Sequence, residues 1–311
     1  MTTTPSRHRL THVVLALSVA MTAALTVASA QAAPACNTST AAAGNSTFRI
    51  THNGVSRSYR LHIPRNLVTP ASVVLSLHGL SSSASSQQSG SGWDATADAA
   101  KNVVVAYPDG IDKRWNVAGF NPNVDDTGFM KAIVDHVAQR VRIAPNRVYI
   151  SGTSLGSGFS HKMACTQAAY FAAAAPVVFH LHSSPQDYVC APSRPISVKE
   201  YAGTRDTLVK YEGGTSSVQG QTVTHLSANA SFQKWAQLNN CTGTSMTTWS
   251  YLSSNVKEYQ TCAGGVKVGL ASLSCGHGYC TGTSFGSPTD DAWKLFKTQV
   301  TPGLKADACG A

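Results

Sequence analysis

The stretch that most constrains the fold is residues 148–158, which read VYISGTSLGSG. It opens with a short apolar run of the kind that forms a buried strand, and residues 159–170 have the pattern of a helix. Between them lies Gly152-x-Ser154-x-Gly156, which in a strand–turn–helix context places a serine on a sharp turn. Small flanking residues let the strand and the helix approach closely. We therefore predict that Ser154 is a nucleophile; the alternative is an ordinary glycine-rich turn.

Apolar runs and helical segments alternate along the chain, which predicts an α/β fold with a mostly parallel sheet and helices on both faces. Asn53-Gly54 suits a type I′ turn, so residues 47–63 are predicted as a β-hairpin. Residues 81–92 are serine-rich and are predicted as a loop. The predicted strands are residues 73–77, 103–107, 148–150, 196–201, 247–251, 256–259 and 266–273, with another within 171–179. The predicted helices are residues 93–100, 159–170, 228–238 and 290–300, with another that begins at Asp125.

The N-terminus has the pattern of a secretory signal peptide. Residues 7–9 contain two arginines and a histidine, residues 13–27 form an apolar core, and Ala32 suits cleavage. About 15 apolar residues are too few to span a bilayer comfortably, which disfavours a membrane anchor. We predict a signal peptide over residues 1–32 and a single folded domain over residues 33–311. The mature protein is expected to be a secreted, extracellular monomer that does not contact the membrane.

The chain has eight cysteines, and all of them follow the predicted signal peptide. An even number in a secreted chain predicts four disulfides. The sequence leaves the pairing open, but we expect neighbours in the chain to pair and Cys36 to join Cys309. No cysteine spacing matches a zinc site. The segment from Cys275 to Cys280 does contain His277, but it lacks the second pair of Cys or His ligands that a zinc site needs. We therefore predict no bound metal.

The formal charge of the chain is +9, from 24 Lys and Arg against 15 Asp and Glu. These basic residues are scattered, and the longest local cluster lies in the predicted signal peptide. Scattered positive charge is typical of a solubilising surface rather than of a nucleic-acid site. We therefore predict no nucleic-acid partner.

A nucleophilic serine needs a base, because its hydroxyl reacts weakly at its ordinary pKa. The base is usually a histidine. In proteins whose nucleophilic serine lies on a strand–turn–helix motif of this kind, the histidine follows both the serine and the acid along the chain. His277 meets that order and lies in a glycine-flanked loop between Cys275 and Cys280. We predict His277 as the base of Ser154, with His225 as the alternative.

The histidine in turn needs a carboxylate to orient it. Asp206 directly follows a predicted strand and is our first choice, ahead of Asp187 and Glu212. The developing oxyanion needs two backbone donors, one after the serine and one from the loop after the first central strand. We predict that the N–H groups of Leu80 and Leu155 form this oxyanion hole.

Three further side chains belong to loops that we expect to surround the predicted site. Trp115 and Tyr279 are candidates to stack on an aromatic acyl group or a sugar, or else to pack within their loops. His78 precedes the predicted oxyanion loop. We expect it to brace that loop through hydrogen bonds rather than to act on a substrate.

Six motifs occur in the order found in a known family. They are His78-Gly79, Tyr107-Pro108-Asp109-Gly110 with Trp115-Asn116, Asp125-Asp126-x-Gly128-Phe129, Arg147-Val148-Tyr149 before the serine motif, Gly203-Thr204-x-Asp206, and Gly276-His277. Together they resemble the secreted polyhydroxybutyrate depolymerase-like esterases, which include feruloyl and acetylxylan esterases. The resemblance covers most of the chain after the predicted signal peptide. It implies an α/β-hydrolase fold, no cofactor, and a triad of Ser154, Asp206 and His277.

Four positions depart from the pattern of that family. Leu155 and Ser157 stand where members usually have Asn and Gly, Ala202 where the acid motif usually opens with His, and Tyr279 where Trp is usual. None of these changes removes a catalytic group, but they alter the pocket wall. The spacing of Cys165 and Cys190, by contrast, matches the family.

We therefore predict a secreted serine carboxylic-ester hydrolase that acts on feruloyl or acetyl esters of plant cell-wall polysaccharide. The first alternative is an extracellular polyhydroxybutyrate or short-chain polyester depolymerase. A peptidase is a further enzymatic alternative. An alternative of another class is a non-catalytic secreted binding protein on a hydrolase scaffold.

Overall fold

The computed structural model describes residues 1–2, 41–182, 188–281 and 284–304. The chain divides into two units, Met1–Ala33 and Pro34–Ala311, and every element below belongs to the second. The predicted signal peptide after its second residue lies outside the described residues. None of the described helices has the length and apolar content needed to cross a bilayer.

Most of the described strands join in one ten-stranded sheet, and the remaining two form a separate hairpin. The strands are β1 (Gly44–His52), β2 (Val55–Ile63), β3 (Ala71–Leu77), β4 (Val103–Pro108), β5 (Ile143–Thr153), β6 (Ala173–Val177), β7 (Ser197–Gly203), β8 (Gly214–Val218), β9 (Gln221–His225), β10 (Met246–Tyr251), β11 (Ser254–Tyr259) and β12 (Val268–Leu273). The helices are α1 (Ala84–Ser91), α2 (Trp93–Ala100), α3 (Asp126–Ala138), α4 (Leu155–Thr166), α5 (Ala228–Leu238) and α6 (Pro288–Phe296).

The order of strands in the large sheet is β1-β2-β4-β3-β5-β6-β7-β12-β11-β10. The strands from β4 to β12 in this order pair in parallel, and antiparallel pairs flank them at both ends. This arrangement confirms the predicted α/β class with a mostly parallel sheet. The hairpin β8–β9 stands apart from the sheet and was not predicted.

Each face of the sheet carries its own layer of helices. Successive side chains of a strand point to opposite faces. Along β3, Val73 and Leu75 join a core that includes residues of α3, α4 and α5, whereas Val74 joins a core that includes residues of α1, α2 and α6. Burial on both faces explains why the central strands are continuously apolar in the sequence.

The N-terminal hairpin forms as predicted, with positive φ angles of 48° at Asn53 and 77° at Gly54. The serine-rich segment predicted as a loop is instead helical, since it contains α1. Polar contacts to other elements stabilise this helix: Gln87 Nε2 donates to Ser76 Oγ over 2.9 Å and to the Tyr279 hydroxyl over 3.0 Å. These partners are distant in the sequence, so local pattern could not indicate them.

Disulfides join cysteines that neighbour one another in the chain, as predicted. The described pairs are Cys165–Cys190, Cys241–Cys262 and Cys275–Cys280. Cys36 and Cys309, for which we expect a fourth disulfide, lie outside the described residues.

Candidate active site

Ser154 occupies the turn between β5 and α4, with φ 54° and ψ −120°. A positive φ is strained for a residue with a side chain, and such strain persists only where the surroundings enforce it. Here the N–H of Ser154 donates to the carbonyl of Val177 on β6 over 2.9 Å. The serine side chain is therefore turned out at the N-terminus of α4.

The two glycines of the motif are required by close packing. A Cβ on Gly152 would lie 2.5 Å from the carbonyl oxygen of Gly156, and a Cβ on Gly156 would lie 2.5 Å from the carbonyl oxygen of Leu77. A side chain at either position would collide with buried backbone. The glycines thus allow α4 to start directly against β3 and β5.

The structure brings the three predicted triad residues together. Nε2 of His277 lies 2.8 Å from Oγ of Ser154, and Nδ1 of the same ring lies 2.7 Å from Oδ2 of Asp206. Because Asp206 can only accept when ionised, Nδ1 carries the proton and Nε2 is left to accept from the serine hydroxyl. This is the tautomer that a general base needs.

The sheet determines this meeting point. Ser154, Asp206 and His277 follow β5, β7 and β12 respectively, at the carboxyl ends of parallel strands, which lie on one edge of the sheet. The loops after β7 and β12 are also tied directly, because the N–H of Arg205 donates to the carbonyl of Cys275 over 2.9 Å.

Asp206 is buried and ionised. Burial raises the pKa of its carboxyl, but the hydrogen bond and charge of His277 and the N–H groups of Val209 and Leu208 outweigh this, so the net pKa lies below its ordinary value. Those two N–H groups donate to Oδ1 over 2.9 and 2.8 Å. With Oδ1 held by the backbone, Oδ2 is fixed for His277.

The alternative residues are placed differently. His225 is buried in the pocket wall, where its ring contacts Ser216 Oγ at 3.3 Å and the carbonyl of Leu226 at 3.2 Å. Glu212 is exposed to solvent, and Asp187 lies outside the described residues. Within the described ranges, no three His, Cys, Asp or Glu side chains converge as a metal site would require.

The loop that carries Leu80 lies directly against Ser154. A Cβ on Gly79 would lie 3.3 Å from Cβ of Ser154, so a larger residue there would crowd the serine. His78 braces this loop, as expected: its Nε2 accepts from the N–H of Gly110 over 3.0 Å. Leu80 and Leu155 both border the cavity that opens at Ser154.

Trp115 is fully buried and does not reach the cavity. Its ring packs 4.7 Å from His78 and 5.9 Å from Phe159, and its Nε1 donates to the His78 carbonyl over 2.8 Å. The prediction that Trp115 stacks on a substrate is therefore wrong. The alternative prediction, that its side chain packs within its loop, describes the structure. Tyr279 does line the cavity, with its hydroxyl bound to Gln87.

Comparison with known proteins gives several similar sequences, although no protein-family model matches the chain. It is 36% identical over 214 residues to feruloyl esterase B of Piromyces equi, covering 66% of this chain and 39% of that protein. It is 30% identical over 162 residues to a bifunctional acetylxylan esterase/xylanase of Neocallimastix patriciarum, covering 51% and 23%. It is 32% identical over 124 residues to poly(3-hydroxyalkanoate) depolymerase C of Paucimonas lemoignei, covering 37% and 30%. The chain spans less than half the length of each of these relatives.

Among solved structures, an acetyl xylan esterase from Aspergillus awamori matches with a TM-score of 0.57 at 13% identity, over 81% of this chain and 99% of that one. The chain has the α/β-hydrolase fold. The names of the sequence relatives confirm the resemblance to the polyhydroxybutyrate depolymerase-like group that includes feruloyl esterases.

The cavity that opens at Ser154 has a volume of about 510 Å³, within the range of small-molecule sites. Ser154 and His277 border it at one side. Most of the remaining wall is apolar. The apolar lining residues include Leu80, Phe120, Leu155, Phe179, Val209, Val218 and Val223. The sequence did not indicate Phe120, Phe179, Val209, Val218 or Val223, since only the packing of distant loops brings them to the cavity.

Phe179 is the most firmly held of the missed residues. It follows Val178, whose φ of 52° is unusual for a β-branched residue and turns the chain sharply at the end of β6. The carbonyl of Phe179 accepts from Ser157 Oγ over 3.2 Å and is 3.1 Å from Nε2 of His161. A Cβ on Gly158 would lie 3.1 Å from its ring. The structure therefore presents a preorganised aromatic wall beside Ser154.

Proposed function

We propose that this α/β-hydrolase is a serine carboxylic-ester hydrolase that acts on feruloyl or acetyl esters of plant cell-wall polysaccharide. The observation that carries the proposal is the hydrogen-bonded series Ser154–His277–Asp206 opening into an apolar cavity. The relatives named feruloyl esterase and acetylxylan esterase support the substrate class.

In the proposed mechanism, Oγ of Ser154 attacks the ester carbonyl while Nε2 of His277 takes its proton. The tetrahedral intermediate collapses to an acyl-enzyme, and His277 gives that proton to the departing alcohol. Water then attacks the acyl-enzyme, again losing its proton to His277, and releases the acid with Ser154 restored. Asp206 keeps the imidazole oriented and stabilises its charged form throughout.

The negative charge that develops on the carbonyl oxygen needs fixed donors. We assign this role to the N–H groups of Leu80 and Leu155, which flank Ser154 from the β3 loop and from the first turn of α4. A preorganised donor of this kind contributes on the order of 3 kcal/mol to stabilising the transition state. The helix N-terminus adds a favourable dipole at the same point.

We further propose that the mature protein is secreted, extracellular and monomeric, begins after residue 32 and folds as a single domain over residues 33–311. The signal-like N-terminus supports secretion. The three described disulfides are compatible with an oxidising compartment.

A polyester depolymerase is the second candidate. The apolar character of the cavity would suit the aliphatic groups of a polyhydroxyalkanoate chain, and one relative is named as such a depolymerase. A non-catalytic binding role is less well supported, since all three groups of the triad are present and hydrogen-bonded.

The test compares the purified protein with Ser154→Ala on p-nitrophenyl acetate, methyl ferulate and a polyhydroxybutyrate suspension. Removing the nucleophile is expected to lower kcat by about 10⁴-fold or more, while the exposed control Ser217→Ala retains full activity. The preferred substrate decides between cell-wall esterase and depolymerase. Equal activity of the wild type and Ser154→Ala, or none in either, would contradict the proposal.

A further inference from the structure

The hairpin β8–β9 lies over the cavity and has two chemically different faces. Side chains of its residues alternate between the faces, and the register pairs Ser216 with Val223 and Val218 with Gln221. The cavity is lined by residues of one face, which are Ser216, Val218, Val223 and His225. The other face is exposed and carries only hydroxyl side chains, which are Thr215, Ser217, Thr222 and Thr224. The hairpin therefore directs two valines, together with Ser216 and His225, toward the cavity and its other hydroxyl side chains toward solvent.

The base of the hairpin is anchored to the body of the protein. Gly213 has a φ of 80°, and a Cβ there would lie 2.5 Å from the backbone nitrogen of Ser227. Only glycine fits at this position, where the chain packs directly against the residue that precedes α5. At the end of β9, His225 bridges to His182, and the N–H of Leu226 donates to the carbonyl of Leu181 over 2.8 Å. The base is thus held in place on both strands.

The tip of the hairpin reaches the opposite rim of the cavity. Its turn has positive φ angles of 50° at Gln219 and 78° at Gly220, as in a type I′ turn. Nε2 of Gln219 donates to Oγ of Ser81 over 2.8 Å, and Oε1 of Gln219 accepts from Nη2 of Arg114 over 3.0 Å. Both hydrogen bonds are exposed to solvent, and both are made by the side chain of Gln219.

The hydrogen bonds of Gln219 also reach the loop after β3 that carries Leu80. Ser81 is the residue directly after Leu80, whose N–H we assign to the oxyanion hole. Arg114 likewise adjoins Trp115, which is fixed to the carbonyl of His78 on the same loop. The side chain of Gln219 therefore connects the roof of the cavity to the segment that positions the oxyanion donor.

We propose that the β8–β9 hairpin is a substrate clamp, closed by Gln219, that selects esters of bulky apolar acids over acetyl esters. The inference rests on the proposed esterase function. An acetyl group offers only one methyl group beyond its carbonyl and cannot extend from Ser154 to the roof. A hydroxycinnamoyl group has a flat apolar surface that can be enclosed between Phe179 and the valines of the hairpin. Only the larger acyl group gains from closure of the clamp.

The experiment measures kcat/KM for p-nitrophenyl ferulate and p-nitrophenyl acetate, two esters that share a leaving group and differ only in the acid. Val223→Ala removes apolar surface from the roof and is expected to lower the ferulate-to-acetate ratio by about tenfold. Gln219→Ala removes both tip bonds and is expected to lower it by about threefold to tenfold. Gln219→Glu keeps an acceptor for Arg114 and can accept from the Ser81 hydroxyl, which is able to donate, so it should leave the ratio close to that of the wild type.

The matched control is Ser217→Ala, which removes a hydroxyl from the solvent face of the same strand and should leave the ratio unchanged. Loss of the clamp and failure of the proposed function give different results. If wild-type protein hydrolyses neither ester, or Ser154→Ala does so equally well, the esterase proposal fails. If hydrolysis depends on Ser154 but Val223→Ala and Gln219→Ala leave the ratio of the two substrates unchanged, the clamp is refuted.

Discussion

At the scale of single residues, the chemistry depends on atoms whose orientation the backbone enforces. Ser154 is held in a strained conformation by glycines and by the hydrogen bond to Val177. Asp206 has one oxygen occupied by backbone N–H groups, which leaves the other for His277. The imidazole consequently has a single orientation and a single tautomer before any substrate arrives.

Replacing Asp206 by Asn tests this arrangement. The amide can donate to Nδ1 of His277, which would move the ring proton to Nε2 and prevent it from accepting from Ser154. We expect kcat for p-nitrophenyl acetate to fall by about 10⁴-fold with the fold intact. The control is Asp125→Asn. Asp125 also contacts a histidine, His52, over 2.9 Å. It is the N-cap residue of α3, a position where Asn serves equally well. Similar activity of the two variants would refute the assigned role of Asp206.

The triad could be predicted from the sequence because chain order and loop context leave few candidates for each role. The pocket wall could not be predicted in the same way. Trp115 and Phe179 are both aromatic residues that follow buried strands, yet one is buried in the core and the other borders the cavity. The difference arises from the backbone turn at Val178, whose positive φ no local pattern indicates.

At the scale of elements, strand and helix meet at the nucleophile with no space between them. Gly156 places the first turn of α4 against the carbonyl oxygens of Leu77 and His78 at the end of β3. Since those oxygens belong to buried backbone, they cannot move aside for a side chain.

Gly156→Ala should therefore lower the free energy of unfolding by about 3 kcal/mol and slow hydrolysis of p-nitrophenyl acetate, the test substrate of the proposed function, as α4 shifts. Gly90→Ala provides the comparison. Gly90 lies in α1, where no atom would approach its Cβ within 4 Å, so alanine should leave stability unchanged or raise it by about 0.5–1 kcal/mol. Chemical denaturation of both variants measures the difference. An equal effect of the two substitutions would show that close packing at Gly156 is not the cause.

Most of the elements were predictable because burial leaves a periodic apolar signal. The predicted strands and helices overlap β3 to β7, β10 to β12 and α2 to α6, with ends that differ by a few residues. Two elements, α1 and the hairpin β8–β9, gave no such signal. Both are rich in Ser, Thr or Gln, and both form through polar contacts to residues far away in the chain, such as Gln87 with Tyr279 and Gln219 with Arg114.

At the scale of the whole molecule, one buried cation links three elements. Lys199 on β7 lies 2.7 Å from Glu258 on β11 and 2.6 Å from Asp291 on α6. Burial raises the pKa of Glu258, but the charge and hydrogen bond of Lys199 outweigh it, so the net pKa lies below its ordinary value of 4.5. These ion pairs join the antiparallel end of the sheet to the closing helix.

Lys199→Met should lower the free energy of unfolding at pH 7 by about 3 kcal/mol, because it leaves two partly buried carboxylates without their cation. Glu258 stabilises the wild type fully above its ordinary pKa of 4.5, and this contribution is lost as the pH falls through its lowered pKa in the folded state. The difference between the proteins should therefore narrow below about pH 4. Denaturant titrations from pH 3 to 7 measure it. Lys234→Met, on the exposed side of α5, should change stability by less than about 0.5 kcal/mol, and a Lys199 effect independent of pH would contradict the ion-pair explanation.

The separateness of the β8–β9 hairpin has a consequence for how this scaffold can change. Its strands pair with each other and, apart from the bridge between His182 and His225, do not extend the large sheet. The hairpin can therefore be lengthened, shortened or exchanged without altering the register of any strand that carries Ser154, Asp206 or His277. Residues 214–225 can thus be exchanged as a unit, by evolution or by engineering, while Ser154, Asp206 and His277 keep their positions.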